Sequence, residues 1–389
     1  MDITALPFDA DAMLAGLRPW VECESPSWDA AAVGRMMDLA CHELSLLGAN
    51  VERIPGRMGF GDCVRARLPH PGVDGKNQSG NSQKGLLILG HMDTVHPSGT
   101  LQKLPFRHAD GRCTGPGICD MKGGNFLALE ALGQLSRAGI TPSLPVTVLF
   151  TSDEEVGSPS TRGLIEAEAS RAAAVLIPEP SRRGGGIVSG RYAIARYRIV
   201  VEGRPSHAGL RLDEGRSAIH RLALHIPQIE AMTTPDCTFS VGVIRTGQWV
   251  NCVSSIVEAE VLSMAKTEAD LEAGNARLMG FNGEHAGITT RVERSLTRPV
   301  WPAGQPATLQ LVAMAEAFAK QLGEPFFHES SGGGSDGNFT GAMGVPTLDG
   351  LGVCGDKYHT LEEYIEVESL ASRGRIFAGL LAGIRGFDG

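Results

Sequence analysis

LLILGHMDTVHPSG, residues 86–99, carries an apolar run into a cluster of polar side chains. Leu86 to Leu89 reads as a buried strand, and Gly90 as the point where the backbone turns out of it. His91 and Asp93 then emerge at the strand's C-terminal end, with His96 three residues further on. Open α/β sheets place their chemistry at that end of their strands.

The same grammar recurs along the chain. DMKGGNFLALEALGQLSRAG, residues 120–139, predicts a helix entered through glycines and closed by Gly139. It is followed by the strand LPVTVLFTSDEE (144–155), another helix, and the short strand AAVLIPEP (173–180). Upstream, residues 30–48 have helical periodicity and lead into the strand-like ANVERIP, whereas 69–85 is turn and solvent chemistry and reads as a surface loop. Apolar strand, polar tip and helix in alternation predict an α/β domain whose mostly parallel sheet carries helices on both faces.

Near residue 190 the pattern changes. GRYAIARYRIVVEG, CTFSVGVIRTG and SSIVEAEVLSMA alternate as half-exposed strands do, with helical stretches at 217–232 and 269–281 among them. We therefore expect an inserted α+β domain over 189–301, leaving a catalytic domain that is discontinuous in sequence, 1–188 and 302–389. The helical stretch 306–323 and the glycine-rich SSGGGSDGN resume the first style, with Asp336 read as a helix cap in preference to a substrate contact.

Composition narrows the function. The chain has 389 residues, 42% hydrophobic and 20% charged, which is ordinary for a soluble globular protein and long enough for two domains. Its net charge of −9 gives no support to a nucleic-acid surface, and no stretch approaches a membrane span. The N-terminus lacks the basic start and apolar core of a signal peptide, and the eight cysteines form no C-x-x-C pair. Both features predict a cytoplasmic protein, and its expected partner is a small-molecule substrate.

Polar tips follow four apolar runs: His91 with Asp93, Asp120 in GPGICDMKGG, Glu154 with Glu155 in TSDEEVG, and Glu179 in IPEPS. His359 in YHTLEEY is a fifth candidate. Singly, each has a plain alternative: a hydrogen-bonded turn, a helix cap, a solvated acid. Together, imidazoles and carboxylates without a nucleophilic Ser or Cys motif point to a divalent metal centre, with zinc favoured and cobalt or manganese as alternatives.

These motifs, with PSHAG, stand in the order and rough spacing of the zinc-dependent amidohydrolases and metallopeptidases that include glutamate carboxypeptidase, acetylornithine deacetylase, succinyl-diaminopimelate desuccinylase and aminoacylase. The chain resembles that family along nearly its whole length, and GTLQKLPF and GGGSDGN look most like the glutamate carboxypeptidase branch. The resemblance implies two zinc ions per subunit, bridged by Asp120, with His91 and Glu179 on one and Glu155 and His359 on the other. It implies that Asp93 accepts a hydrogen bond from His91 and fixes its tautomer, and that Glu154 is the general base for a water that the metals hold. It also suggests a cis Asp120–Met121 peptide.

The insert resembles the family's lid and dimerisation domain, so a homodimer is expected. His207 matches a histidine that stabilises the oxyanion in the partner subunit's site, Asn251 a substrate-contacting lid position, and Arg298 an arginine that receives a substrate carboxylate. The plain alternatives are a loop histidine for His207 and a surface charge for Arg298. The chain departs from the carboxypeptidase pattern at Met264, which stands about where an arginine is expected, and Lys266 and Arg245 are the candidates to compensate. The reading is a hydrolase of the amide C–N bond of an N-acyl amino acid or small peptide. The alternatives are a deacetylase or a hydrolase of an aromatic amide without an α-carboxylate, and a non-catalytic scaffold that kept the fold.

Overall fold

The computed structural model describes residues 1–72 and 84–387, without the side chains of 295–297. Most of the predicted 69–85 loop lies outside the described residues. The chain forms two compact units, Met1–Gly190 with Ala303–Ser330 and Ser335–Gly389, and Arg191–Pro302 with Ser331–Gly334.

The first unit is built on a six-stranded sheet in the order Asn50–Ile54, Cys63–Arg67, Val146–Thr151, Gly85–His91, Ala172–Leu176 and Thr347–Leu348. The last four are mutually parallel, and the first two add an antiparallel hairpin at one edge. Strand pleating sends Leu86 and Ile88 to one face and Leu87 and Leu89 to the other. All four are buried, and each contributes roughly 1.5–3 kcal/mol by leaving water.

One face is covered by Ala10–Glu22, Ala30–Leu46, Gly123–Arg137, Pro306–Leu322 and Glu368–Gly383, the other by Arg162–Ala169 and Gly337–Ala342. Gly123–Arg137 is apolar nearly all round because it lies between the sheet and the helix Glu368–Gly383. It ends where Gly139 takes a left-handed φ of 67°. The helices Ala10–Glu22 and Glu368–Gly383 lie outside the predicted elements. Among the described residues, no helix is long and apolar enough to cross a membrane.

The quoted stretch differs from expectation in one respect. The strand continues through Gly90 to His91, paired with Phe150 and Thr151. Gly90 is therefore no turn; a Cβ there would stand 2.0 Å from Asn125 Oδ1, and the Asn125 amide donates to the His91 carbonyl at 2.6 Å. The glycine lets the first helix turn after Asp120 lie directly on the strand that bears His91.

The second unit is a five-stranded antiparallel sheet, Cys237–Thr246, Ile256–Ala265, Ala193–Glu202, Ile288–Arg298 and Gly283–His285 in that order. Buried residues alternate along Ala193–Glu202, and Ala218–Glu230 and Glu268–Met279 pack on the apolar face. This is the clean in/out alternation of a sheet with one covered face.

Candidate metal centre

Five of the predicted residues meet at the C-terminal ends of the parallel strands. His91 ends the central strand, Asp120 lies in the turn Ile118–Lys122 before the helix Gly123–Arg137, and Glu155 follows Val146–Thr151. Glu179 follows Ala172–Leu176, and His359 sits in a loop with a left-handed φ of 66°. That conformation is uncommon for a residue with a side chain and here holds the imidazole toward the carboxylates.

His91 Nε2 lies 3.2 Å from Asp120 Oδ1 and 3.7 Å from Glu179 Oε1. His359 Nε2 lies 3.2 Å from Asp120 Oδ2 and 3.1 Å from Glu155 Oε2. The two oxygens of Asp120 thus face two triads, each with its donor atoms within 4.8 Å of one another. Gly124 permits the approach of Glu179, since a Cβ there would stand 1.8 Å from the Pro178 carbonyl oxygen. The Asp120–Met121 peptide is cis.

Charge crowding in this pocket moves the proton equilibria. Burial alone would lower the His91 imidazole, but the hydrogen bonds to Asp120 and Asp93 raise it well above its usual value. Hydrogen bonds to Asp120 and then Glu155 push His359 up to about 11. Burial would raise Asp120, yet His359 and His91 hold it below the usual carboxylate range. Burial, then the Asp120 charge, raises Glu155, and the same two causes raise Glu179 well above its ordinary value. Glu155 Oε1 is buried without a hydrogen-bond partner among the described residues. Three carboxylates and two imidazoles around an orphaned buried oxygen fit one or two divalent cations, whose positive charge would replace these protons.

Asp93 is fully buried. The nearest acceptor to His91 Nδ1 is the Asp93 carbonyl at 2.9 Å, with the carboxylate Oδ1 at 3.5 Å. The carboxylate also accepts from the Glu154 and Glu155 N–H groups, both at 3.2 Å, and from the Ser27 hydroxyl at 2.6 Å. Glu154 and Glu155 lie in the tight turn Glu154–Val156, not in the strand, so a turn and not strand alternation separates them. Ser27 was not among the predicted residues, and nothing in its local sequence marks it. Asp336 stands at a helix N-cap position without a side-chain cap bond, contrary to expectation. It accepts from Thr151 Oγ1 at 3.2 Å and from the Ser158 hydroxyl, behind the sheet end.

His207, Asn251 and Arg298 belong to the second unit. The first two are neighbours: His207 is bridged to Cys252, and the Ala208 N–H donates to the Asn251 carbonyl at 2.9 Å. Both side chains are exposed. Arg298 is no surface charge, being 5% exposed at the end of its strand, where a Cβ on Gly334 would meet its Cδ at 2.8 Å. Lys266 is held by Asp236 at 3.0 Å and Arg245 by Glu260, so both candidate substitutes for an arginine at Met264 are already ion-paired.

The pattern of Peptidase family M20/M25/M40 matches residues 87–383. The chain is similar to carboxypeptidase G2 of Pseudomonas sp. (strain RS-16), 30% identical over 381 residues that cover 95% of this chain and 88% of that one. A succinyl-diaminopimelate desuccinylase of Alkalilimnicola ehrlichii is 27% identical over 376 residues, covering 90% and 95%. A tripeptidase of Staphylococcus aureus superposes with TM-score 0.76 at 20% identity, over 96% of this chain and 99% of that one. A family M20 metallo-carboxypeptidase of Sulfolobus solfataricus gives 0.72 at 16% identity, over 95% and 98%. These two structures support the fold. With its family pattern matched over most of its length and a 30% identical relative spanning nearly all of it, the chain belongs to peptidase family M20/M25/M40, metal-dependent hydrolases that act on C–N bonds.

Proposed function

We propose that the protein is a two-zinc hydrolase of the amide bond in an N-acyl amino acid or small peptide with a free carboxylate. The observation that carries this reading is the pair of triads sharing Asp120, with His91 and Glu179 to hold one ion and Glu155 and His359 the other. Bound there, zinc supplies Lewis-acid polarisation of the carbonyl and a water of lowered pKa. Glu154 takes the proton of the attacking water and delivers it to the leaving nitrogen, so the amine departs neutral. Asp93 holds Glu154 and Glu155 in place through their backbone N–H groups.

In this reading His207 stabilises the oxyanion in the site of a partner subunit, Asn251 contacts substrate, and Arg298 binds the substrate carboxylate with its two-pronged guanidinium. Exposed Leu210, Leu212, Trp249 and Val250 in the unit that bears His207 support a homodimer formed there, because isolated monomers rarely expose such a group. The eight free thiols support a reducing, cytoplasmic setting.

Met264 favours a second reading, in which the substrate is an acetylated amine or aromatic amide without an α-carboxylate. The test is hydrolysis of a panel of N-acyl amino acids and aromatic amides by the zinc-loaded protein and by Glu154→Ala and Arg298→Ala. Turnover of acyl-glutamate or acyl-aspartate, abolished in Glu154→Ala and with KM raised in Arg298→Ala, is the expected result. Turnover confined to amides without a carboxylate would move the assignment to the second reading.

A further inference from the structure

Three segments that bear the proposed ligands meet at one buried carboxylate. Glu363 is 0% exposed and lies four residues beyond His359. Its Oε1 accepts from the backbone N–H groups of Cys119 at 2.8 Å and Asp120 at 3.1 Å. Its Oε2 accepts from the Gly117 N–H at 3.0 Å and faces His96 Nε2 at 2.6 Å. A carboxylate already accepting three backbone hydrogens is an acceptor, so the imidazole donates. His96 is itself buried and lies with Asp93 in the loop that follows the strand ending at His91. One side chain therefore ties the His91 loop, the Asp120 turn and the His359 loop together.

A buried carboxylate is a costly way to close a core, and well-packed apolar residues would do it as well or better. What an apolar residue lacks is direction. Three convergent backbone hydrogen bonds fix the orientation of the turn from which the Asp120 side chain projects, and the same residue anchors the loop that carries His359. The arrangement also accounts for His96, which the proposed chemistry leaves unused.

We propose that Glu363, oriented by His96, is the positioning residue of the metal centre, setting the geometry between Asp120 and His359 that a pair of bridged ions requires. This rests on the metal-centre reading above. It is tested by measuring zinc dissociation constants by competition with a chromophoric chelator, and the visible bands of the cobalt(II)-loaded protein, for wild type, Glu363→Gln and His96→Gln. Outer partners of metal ligands typically change affinity by about 10–100-fold. Glu363→Gln should therefore weaken zinc by about that factor and shift the cobalt bands, and His96→Gln should do the same to a lesser degree. A role confined to packing would lower the stability of the metal-free protein in urea and leave wild-type affinity and bands in the folded variants. If Glu363→Gln does not fold, His96→Gln decides, and unchanged zinc affinity there overturns the proposal. Wild type that holds no zinc or cobalt overturns the metal-centre reading as well; wild-type binding with indifferent variants overturns this proposal alone.

Discussion

Asp93 sets the stance of Glu154 and Glu155 without reaching across the site itself. Both oxygens are occupied by backbone N–H groups of that turn and by Ser27. Asp93→Asn would place amide hydrogens against donors that need an acceptor. We expect it to destabilise the fold by about 1–3 kcal/mol in urea unfolding and to lower kcat by about 10–100-fold. Retention of full kcat would remove Asp93 from the catalytic arrangement. At this scale the sequence was informative about the residues that gather at the candidate site and, Asp93 apart, silent about what holds them. His91, Asp120, Glu155 and Glu179 could be read because each follows an apolar run or opens a helix. Ser27 is 66 residues from Asp93, Asp336 is 185 from Thr151, and Glu363 is 246 from Gly117, so no local pattern links them.

The position of the site is decided by how closely the elements approach. The helix Gly123–Arg137 rests on the central strand at Gly90 and against Pro178 at Gly124. Gly124→Ala should destabilise the protein by about 1–3 kcal/mol or more, because the obstructing atom is a backbone oxygen that cannot rotate away. Gly163→Ala, in the helix Arg162–Ala169, meets nothing within 4 Å and should be neutral or slightly stabilising. Equal urea midpoints for the two variants would contradict this account of the glycines. Gly85–His91, Val146–Thr151 and Ala172–Leu176 were legible from apolar runs, and Ala193–Glu202, Cys237–Thr246 and Ile256–Ala265 from alternation, whereas Cys63–Arg67 and Ile288–Arg298 were not picked out. The helix Glu368–Gly383 was not, since its small residues and glycines, packed on neighbouring helices, blur the period. Pro19 inside Ala10–Glu22 hides that helix in the same way. Gly90 looked like a turn because the need it answers, room for Asn125, lies on another element.

Across the whole molecule, the raised groups of the site hold protons that the unfolded chain would release. Glu179 and Glu155 lie above the ordinary 4.5, and His359 is raised from 6.5 to about 11. Above about pH 4.5 the folded site thus binds more protons than the unfolded chain, so its contribution to stability falls as pH rises toward those folded values. Asp120, held low, contributes throughout this range and loses its contribution only on acidification below 3.8. Cations must displace the stored protons, so zinc affinity should rise with pH. The most direct measurement is calorimetric titration of metal-free protein with zinc, in two buffers of different ionisation enthalpy, for wild type and Asp120→Ala. Two ions per chain with net proton release, and loss of high-affinity binding at both positions in Asp120→Ala, is the predicted result. A single ion, no proton release, or two ions retained in Asp120→Ala would contradict a centre bridged by Asp120.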